Sequence, residues 1–392
     1  MDMRIGFLLN HDQTHQVAHS LPIALALAQC DPHIELCVAT SNSRLEALVR
    51  EMAGPLLGRR IEHVRLRLKQ SLTRTLGPML NRWLPFEKLA IYGDNLDFFR
   101  SLDALVVTEK TSLLLKTHYH LDRLKLIHTR HGAGDRAIGF NAESALFDHV
   151  LVAGEKIRER LIREAGVAPE RISVVGYPKF DLLPAKPARL PLQANGRPTV
   201  LYNPHPSPHL SSWYRMGRDV LRYFCDSDRY NLIFAPHVML FQRKYVVTID
   251  KLRIDRPGKI ERAVRECPHI HVNVGGPACT DMTYTQAADI YLGDASSQVY
   301  EFLLRPRPCV FLNAQRVNYH NDPNYAHWRA GPVIARVEDI DEALHHAIDD
   351  HHLYRETQRA MFNHTFDLTG EPSAMRAARA IAALMQPRGA LA

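Results

Sequence analysis

The chain has 392 residues, more than a single hydrophobic core usually supports, so two domains are expected. With 46% hydrophobic and 23% charged residues and no low-complexity tract, disorder as the main state is excluded. A formal charge of +7 suits an anionic partner, whether nucleotide, phosphorylated substrate, acidic bilayer surface or nucleic acid, and does not choose among them.

The first residues, Met1-Asp2-Met3-Arg4, lead directly into a strand over 4–9 without a cleavable signal pattern. No apolar run approaches the length of a membrane span. A cytoplasmic chain is expected, with peripheral attachment at the inner face of the cytoplasmic membrane as the extension of that reading. A helix fits 21–29, and further strands fit 35–39, 104–108, 125–128, 149–153 and 172–175. These strands are short, aliphatic or β-branched, and separated by helical patterns, as a parallel sheet requires. The helix over 155–165 is closed by Gly166. Between these elements, residues 59–88 interleave basic side chains with Val64, Leu66, Leu68, Leu72, Leu76, Trp83 and Leu84. That pattern suits a surface lying on anionic lipid, or a solvated segment covering the sheet.

A proline-rich linker occupies 186–198 and separates an N-terminal domain, 1–185, from a C-terminal one, 199–370. Strands restart over 199–202, 231–235, 270–274, 290–292, 309–312 and 333–335, and an amphipathic helix over 372–385 closes the chain. Residues 371–392 are expected to pack back on the N-terminal domain. The fold class is therefore α/β, with two Rossmann-like doubly wound domains and a cleft between them, and function is sought in the loops after the strands. The six cysteines form no CxxC pair and read as buried thiols rather than a zinc site.

Four of those segments carry a family likeness. They are His131-Gly132-Ala133-Gly134-Asp135-Arg136, Gly176-Tyr177-Pro178-Lys179-Phe180-Asp181, Ala235-Pro236-His237, and Asp294-Ala295-Ser296-Ser297 followed by Glu301. Together they resemble the CDP-glycerol glycerophosphotransferases that build teichoic-acid-like polymers, enzymes of the GT-B superfamily. The resemblance runs from about Lys125 to the C-terminus. It implies transfer of an alditol phosphate from a CDP-linked donor to a hydroxyl of a lipid-linked or glycan acceptor, with release of CMP. Arg136 stands where lysine is common, Pro236-His237 replaces His-Pro, and Asn203-Pro204-His205-Pro206 lacks the usual Trp-Arg. A nucleotide sugar therefore stays open as the alternative donor.

On this reading His131 is the general base, because histidine titrates near working pH and can take the acceptor proton. Gly132 and Gly134 let the backbone approach substrate. Arg136 and His237 neutralise charge on the phosphates. Ser296 and Ser297, at the start of a helix over 298–304, offer hydroxyls and free N–H groups to the pyrophosphate, with Asp294 capping or orienting the loop. Ser296 as a plain helix cap is the simpler reading of that residue alone. Glu301 would take the ribose hydroxyls, and His205 a phosphate oxygen. His15, in the loop after the first strand, is the alternative base if the cargo is a sugar. No metal, no cofactor and no nucleic-acid partner are expected.

Overall fold

The computed structural model describes residues 3–11, 14–69, 86–130, 132–136, 139–248 and 253–386. The chain divides into two compact units. The first comprises Met1–His131, Ile138–Leu183 and His364–Ala392, and the second Gly132–Ala137 and Pro184–Asn363. The short segment Gly132–Ala137, which follows the fifth strand of the first unit, thus belongs to the second.

The first unit is built on strands β1 (Met3–Leu9), β2 (Ile34–Thr40), β3 (Ile61–Arg65), β4 (Ala104–Val107), β5 (Lys125–Thr129), β6 (His149–Val152) and β7 (Ile172–Val174). They form one parallel sheet in the order β3-β2-β1-β4-β5-β6-β7. Both faces are covered, which is why the strands read as unbroken apolar runs. Alternate residues go to opposite sides: Ile5, Phe7 and Leu9 enter one core with Leu36, Val38, Ala104 and Val106. Leu8, Cys37, Ala39, Leu105 and Val107 enter the other.

Part of the basic segment belongs to this sheet. Ile61–Arg65 is an edge strand paired in parallel with β2, and Leu66 is buried while Val64 and Leu68 pack on the core. Arg60 donates to the carbonyls of Ala28, Asp31 and Pro32, and Arg65 pairs with Glu46 at 3.2 Å. Arg60 and Arg65 are thus tied to the protein, while Arg59, Arg67 and Lys69 are exposed. Residues 70–85 lie outside the described part. No helix among the described residues is long and apolar enough to cross a membrane.

The final helix, Ser373–Met385, lays Ala374, Ala377, Ala378 and Ile381 into the first of these cores, beside the helix Leu21–Cys30. Its free N-terminal amides are capped by Asp181, which accepts from Ser373 N at 3.0 Å and Ala374 N at 2.7 Å. Gly176 makes room for this return. Its φ is +82°, and a Cβ there would lie 2.9 Å from the Asp367 carbonyl and strike the Ser373 hydroxyl. The Gly176–Asp181 motif is thus a clasp for the C-terminal helix.

The second unit carries β8 (Thr199–Asn203), β9 (Asn231–Phe234), an antiparallel pair β10 (Val246–Thr248) and β11 (Arg253–Asp255), then β12 (Ile270–Val272), β13 (Ile290–Gly293), β14 (Cys309–Leu312) and β15 (Val333–Ile334). Six of them form a parallel sheet in the order β12-β9-β8-β13-β14-β15. Val200, Tyr202, Leu232, Phe234, Ile290, Leu292, Val310 and Leu312 line one core under this sheet. In both units the strand order reverses beside the first strand, between β1 and β4 and between β8 and β13. Ligands of doubly wound sheets bind beyond the carboxyl ends of the strands at that point.

Candidate functional site

In the second unit the reversal brings together the loops after β8, β9 and β13, and with them His205, His237 and residues 294–297. Asp294 organises these loops. It is fully buried, and its carboxylate accepts from Ala295 N (2.7 Å), His205 N (2.9 Å), Ser212 N (2.6 Å) and Ser212 Oγ (2.8 Å). Burial raises its pKa, a rise these donors only partly offset. With its oxygens so engaged, Asp294 is a strut between two loops. Of the two roles expected for it, capping the helix or orienting the loop, the structure shows the second. Asn203 ties the next loop in, donating to the Ala235 carbonyl at 2.6 Å, and His237 N donates to the Pro204 carbonyl at 3.0 Å.

The two histidines are held alike. His205 Nδ1 accepts from Ser207 N at 3.0 Å, and His237 Nδ1 accepts from Met239 N at 3.3 Å. An acceptor at Nδ1 assigns the proton of a neutral ring to Nε2. Both rings are neutral at pH 7: burial pushes His237 down to about 4. Burial, reinforced by His237 and Arg136, holds His205 well below the imidazole range. Their centroids are 6.0 Å apart. Arg136 Nη1 lies 3.5 Å from His205 Nε2. With the proton on Nε2, guanidinium and imidazole each present an N–H there and neither can accept, an arrangement that suits an anion bound to both.

The serine loop is divided in its roles. Ser296 is buried and its hydroxyl bonds Tyr291, so it supports the loop from below and does not offer a hydroxyl to a donor as expected. Ser297 is exposed and lies against Gly134, where an added Cβ would come within 3.0 Å of the serine Cβ. That close approach, and the φ of +78° at Gly132, account for the glycines of this loop. The helix that follows is only Gln298–Phe302, five residues, too short for a sizeable dipole. Glu301 is buried on it.

Asp135, which the sequence did not single out, fastens the Gly132–Ala137 segment to the second unit. It is buried and accepts from the Tyr300 hydroxyl at 2.8 and 2.7 Å, and it pairs with His327 Nδ1 at 2.9 Å. His327 Nε2 is 2.8 Å from the Asp294 carbonyl. His327 sits in the 3₁₀ stretch Pro323–Ala330, and no sequence pattern marked it. His131 lies outside the described residues.

The first unit has its own polar cluster at the β1–β4 reversal. His11, buried, lies 3.4 Å from Glu109 by Nδ1 and bonds the Thr108 hydroxyl. Lys88 pairs with the same carboxylate. Burial opposes the charge on Glu109, but hydrogen bonds from His11 and Lys88 win and lower it to about 2. His15 sits beyond, partly buried in the 3₁₀ helix Thr14–His19. The histidine set against a carboxylate after the first strand is therefore His11. Among the described residues, no group of three or more His, Cys, Asp or Glu side chains is arranged to hold a metal ion.

No protein-family model and no curated protein matches this sequence. Solved structures match it in fold. The S. aureus MnaA–UDP co-structure has a TM-score of 0.60 at 12% identity, covering 97% of this chain and 96% of that one. The wall teichoic acid polymerase TagF has a TM-score of 0.58 at 14% identity, covering 98% and 88%. UDP-GlcNAc 2-epimerase from Neisseria meningitidis bound to UDP-GlcNAc has 0.55 at 13% identity, covering 98% and 99%. At these identities the likeness is one of fold: the chain has the GT-B architecture of two Rossmann-like α/β domains.

Proposed function

We propose that the chain is a transferase that binds a CDP-linked alditol, such as CDP-glycerol, through the second unit. It passes glycerol phosphate to a hydroxyl of a lipid-linked or glycan acceptor and releases CMP. The observation that carries this reading is the convergence of His205, His237 and Arg136 as donors, while Asp294 and Asp135 are already saturated by protein partners. Donors gathered at the carboxyl ends of parallel strands suit phosphate oxygens. The motifs resembling the glycerophosphotransferases and the fold shared with TagF, one variant of which was soaked with CDPG, favour this cargo.

In this account Arg136, His205 and His237 hold the diphosphate and offset charge developing as the phosphoryl group moves. Neutral imidazole N–H groups do this without the cost of burying two further cations. Ser297 and the Gly132 backbone flank the phosphates, and Asp294, Ser296 and the buried Glu301 support the loops. His131, the residue before the Gly132–Ala137 segment, removes the acceptor proton. The test is CMP release from CDP-glycerol, followed by chromatography, in wild type and His131→Ala. Release by wild type and its loss in the variant, with donor affinity kept, supports the reading. Release of UDP from a UDP-sugar instead sinks it.

A second reading has its own observation. His11 against Glu109 at the reversal of the first sheet is the arrangement of a base oriented by a carboxylate. If His11→Ala abolishes turnover and His131→Ala does not, a nucleotide-sugar transferase is the better description. The fold shared with structures holding UDP or UDP-GlcNAc would then bear on the donor.

A further inference from the structure

Asp135, His327 and Tyr300 form a buried polar cluster that the chemistry above does not consume. We propose that Asp135 and His327 are positioning residues, which lock Arg136 and the His205 loop into a single anion-binding surface. The proposal rests on the reading of the second unit as a phosphate site.

The connections run in one chain. Asp135 precedes Arg136, and its carboxylate is held by the Tyr300 hydroxyl, by His327 Nδ1 at 2.9 Å and by His327 N at 3.3 Å. The far side of the His327 ring bonds the Asp294 carbonyl at 2.8 Å, and Trp328 Nε1 donates to that same oxygen at 3.0 Å. The Asp294 carboxylate then fixes His205 N and Ser212. One imidazole thus joins the loop carrying Arg136 to the strut carrying His205, although His327 and Asp135 are 192 residues apart in sequence.

A carbonyl oxygen only accepts, so Nε2 of His327 carries a proton. Nδ1 faces the Asp135 carboxylate, which also receives the Tyr300 hydroxyl and the His327 N–H. A buried polar pair held from both sides in this way admits few alternative geometries, because either partner left alone is an unsatisfied buried group. Glutamine at 327 has a donor for one acceptor but cannot span both in a straight line, and asparagine at 135 loses the charge without losing volume.

The experiment is a double-mutant cycle. Inorganic pyrophosphate affinity is measured by calorimetry for wild type, Asp135→Asn, Arg136→Ala and the double variant, with hydrogen–deuterium exchange of the 132–136 peptide alongside. If Asp135 acts through Arg136, Asp135→Asn weakens binding roughly tenfold and the double variant binds no more weakly than Arg136→Ala alone. Exchange at 132–136 rises in Asp135→Asn while the β8 and β13 peptides stay protected. Fully additive losses, or unchanged affinity and exchange, overturn the proposal. Tyr300→Phe, which removes a single hydroxyl, serves if Asp135→Asn does not fold. Should wild type bind no pyrophosphate, the phosphate reading falls, and the exchange of 132–136 alone decides the clamp.

Discussion

Lowering the pH from 7 to 5 without ligand is expected to destabilise the second unit, and His237 sets much of the amount. Its imidazole titrates at about 4 in the folded protein against 6.5 when free, because burial disfavours the charged form. The unfolded chain therefore takes up the proton first, so stability falls as pH drops below 6.5 and the loss is complete near pH 4. The gap corresponds to about 3 kcal/mol in full, of which about 2 kcal/mol is gone by pH 5. His205, lowered by burial and by His237 and Arg136, shifts in the same direction and adds to the loss. The assay is urea unfolding followed by the fluorescence of Trp213 and Trp328, both buried in this unit, for wild type and His237→Gln at both pH values. The variant should lose about 2 kcal/mol less than wild type between pH 7 and 5. Equal losses would refute the buried neutral imidazole.

Three further outcomes are expected. Asp294→Asn puts an amide N–H₂ where the carboxylate accepts from Ser212, His205 and Ala295; it should cost roughly 3 kcal/mol or more in denaturant unfolding and abolish pyrophosphate binding. Gly176→Ala forces a left-handed backbone on alanine and a contact with Asp367 and Ser373; proteolysis should then attack the C-terminal helix, with about 1–3 kcal/mol lost from the first unit. Glu109, lowered to about 2 by His11 and Lys88 against the cost of burial, stabilises the first unit above pH 4.5. That contribution is lost as pH falls through 2, so Glu109→Gln should flatten the acid limb of the stability curve and cost about 3 kcal/mol at neutral pH.

The two sheets were legible because strands covered on both faces are continuous aliphatic runs, such as Leu105-Val106-Val107 and Val310-Phe311-Leu312. The edge strand Ile61–Arg65 escaped notice because an edge carries Glu62, His63 and Arg65 among its apolar residues, and so reads as a charged surface segment. At the site, His205 and His237 could be located from the strands that precede them. Their tautomers could not, since these depend on Ser207 and Met239 amides placed by the turn. Serine and aspartate were assigned to the donor from their types, but burial decides which atoms are free, and it takes Asp294 and Ser296 out of reach of direct contact. His327 follows no strand and meets Asp135 only through the tertiary fold, so nothing local announces it. His11 rather than His15 meets the carboxylate because the chain turns into a 3₁₀ helix at Thr14.

The most direct test of the central claim is calorimetric titration with CDP, UDP and GDP at neutral pH, on wild type and Arg136→Ala. The account predicts that CDP binds best and that loss of the charge-assisted contact weakens it about 10- to 100-fold. CDP binding that is absent, or that is untouched by removal of the Arg136 guanidinium, would contradict it.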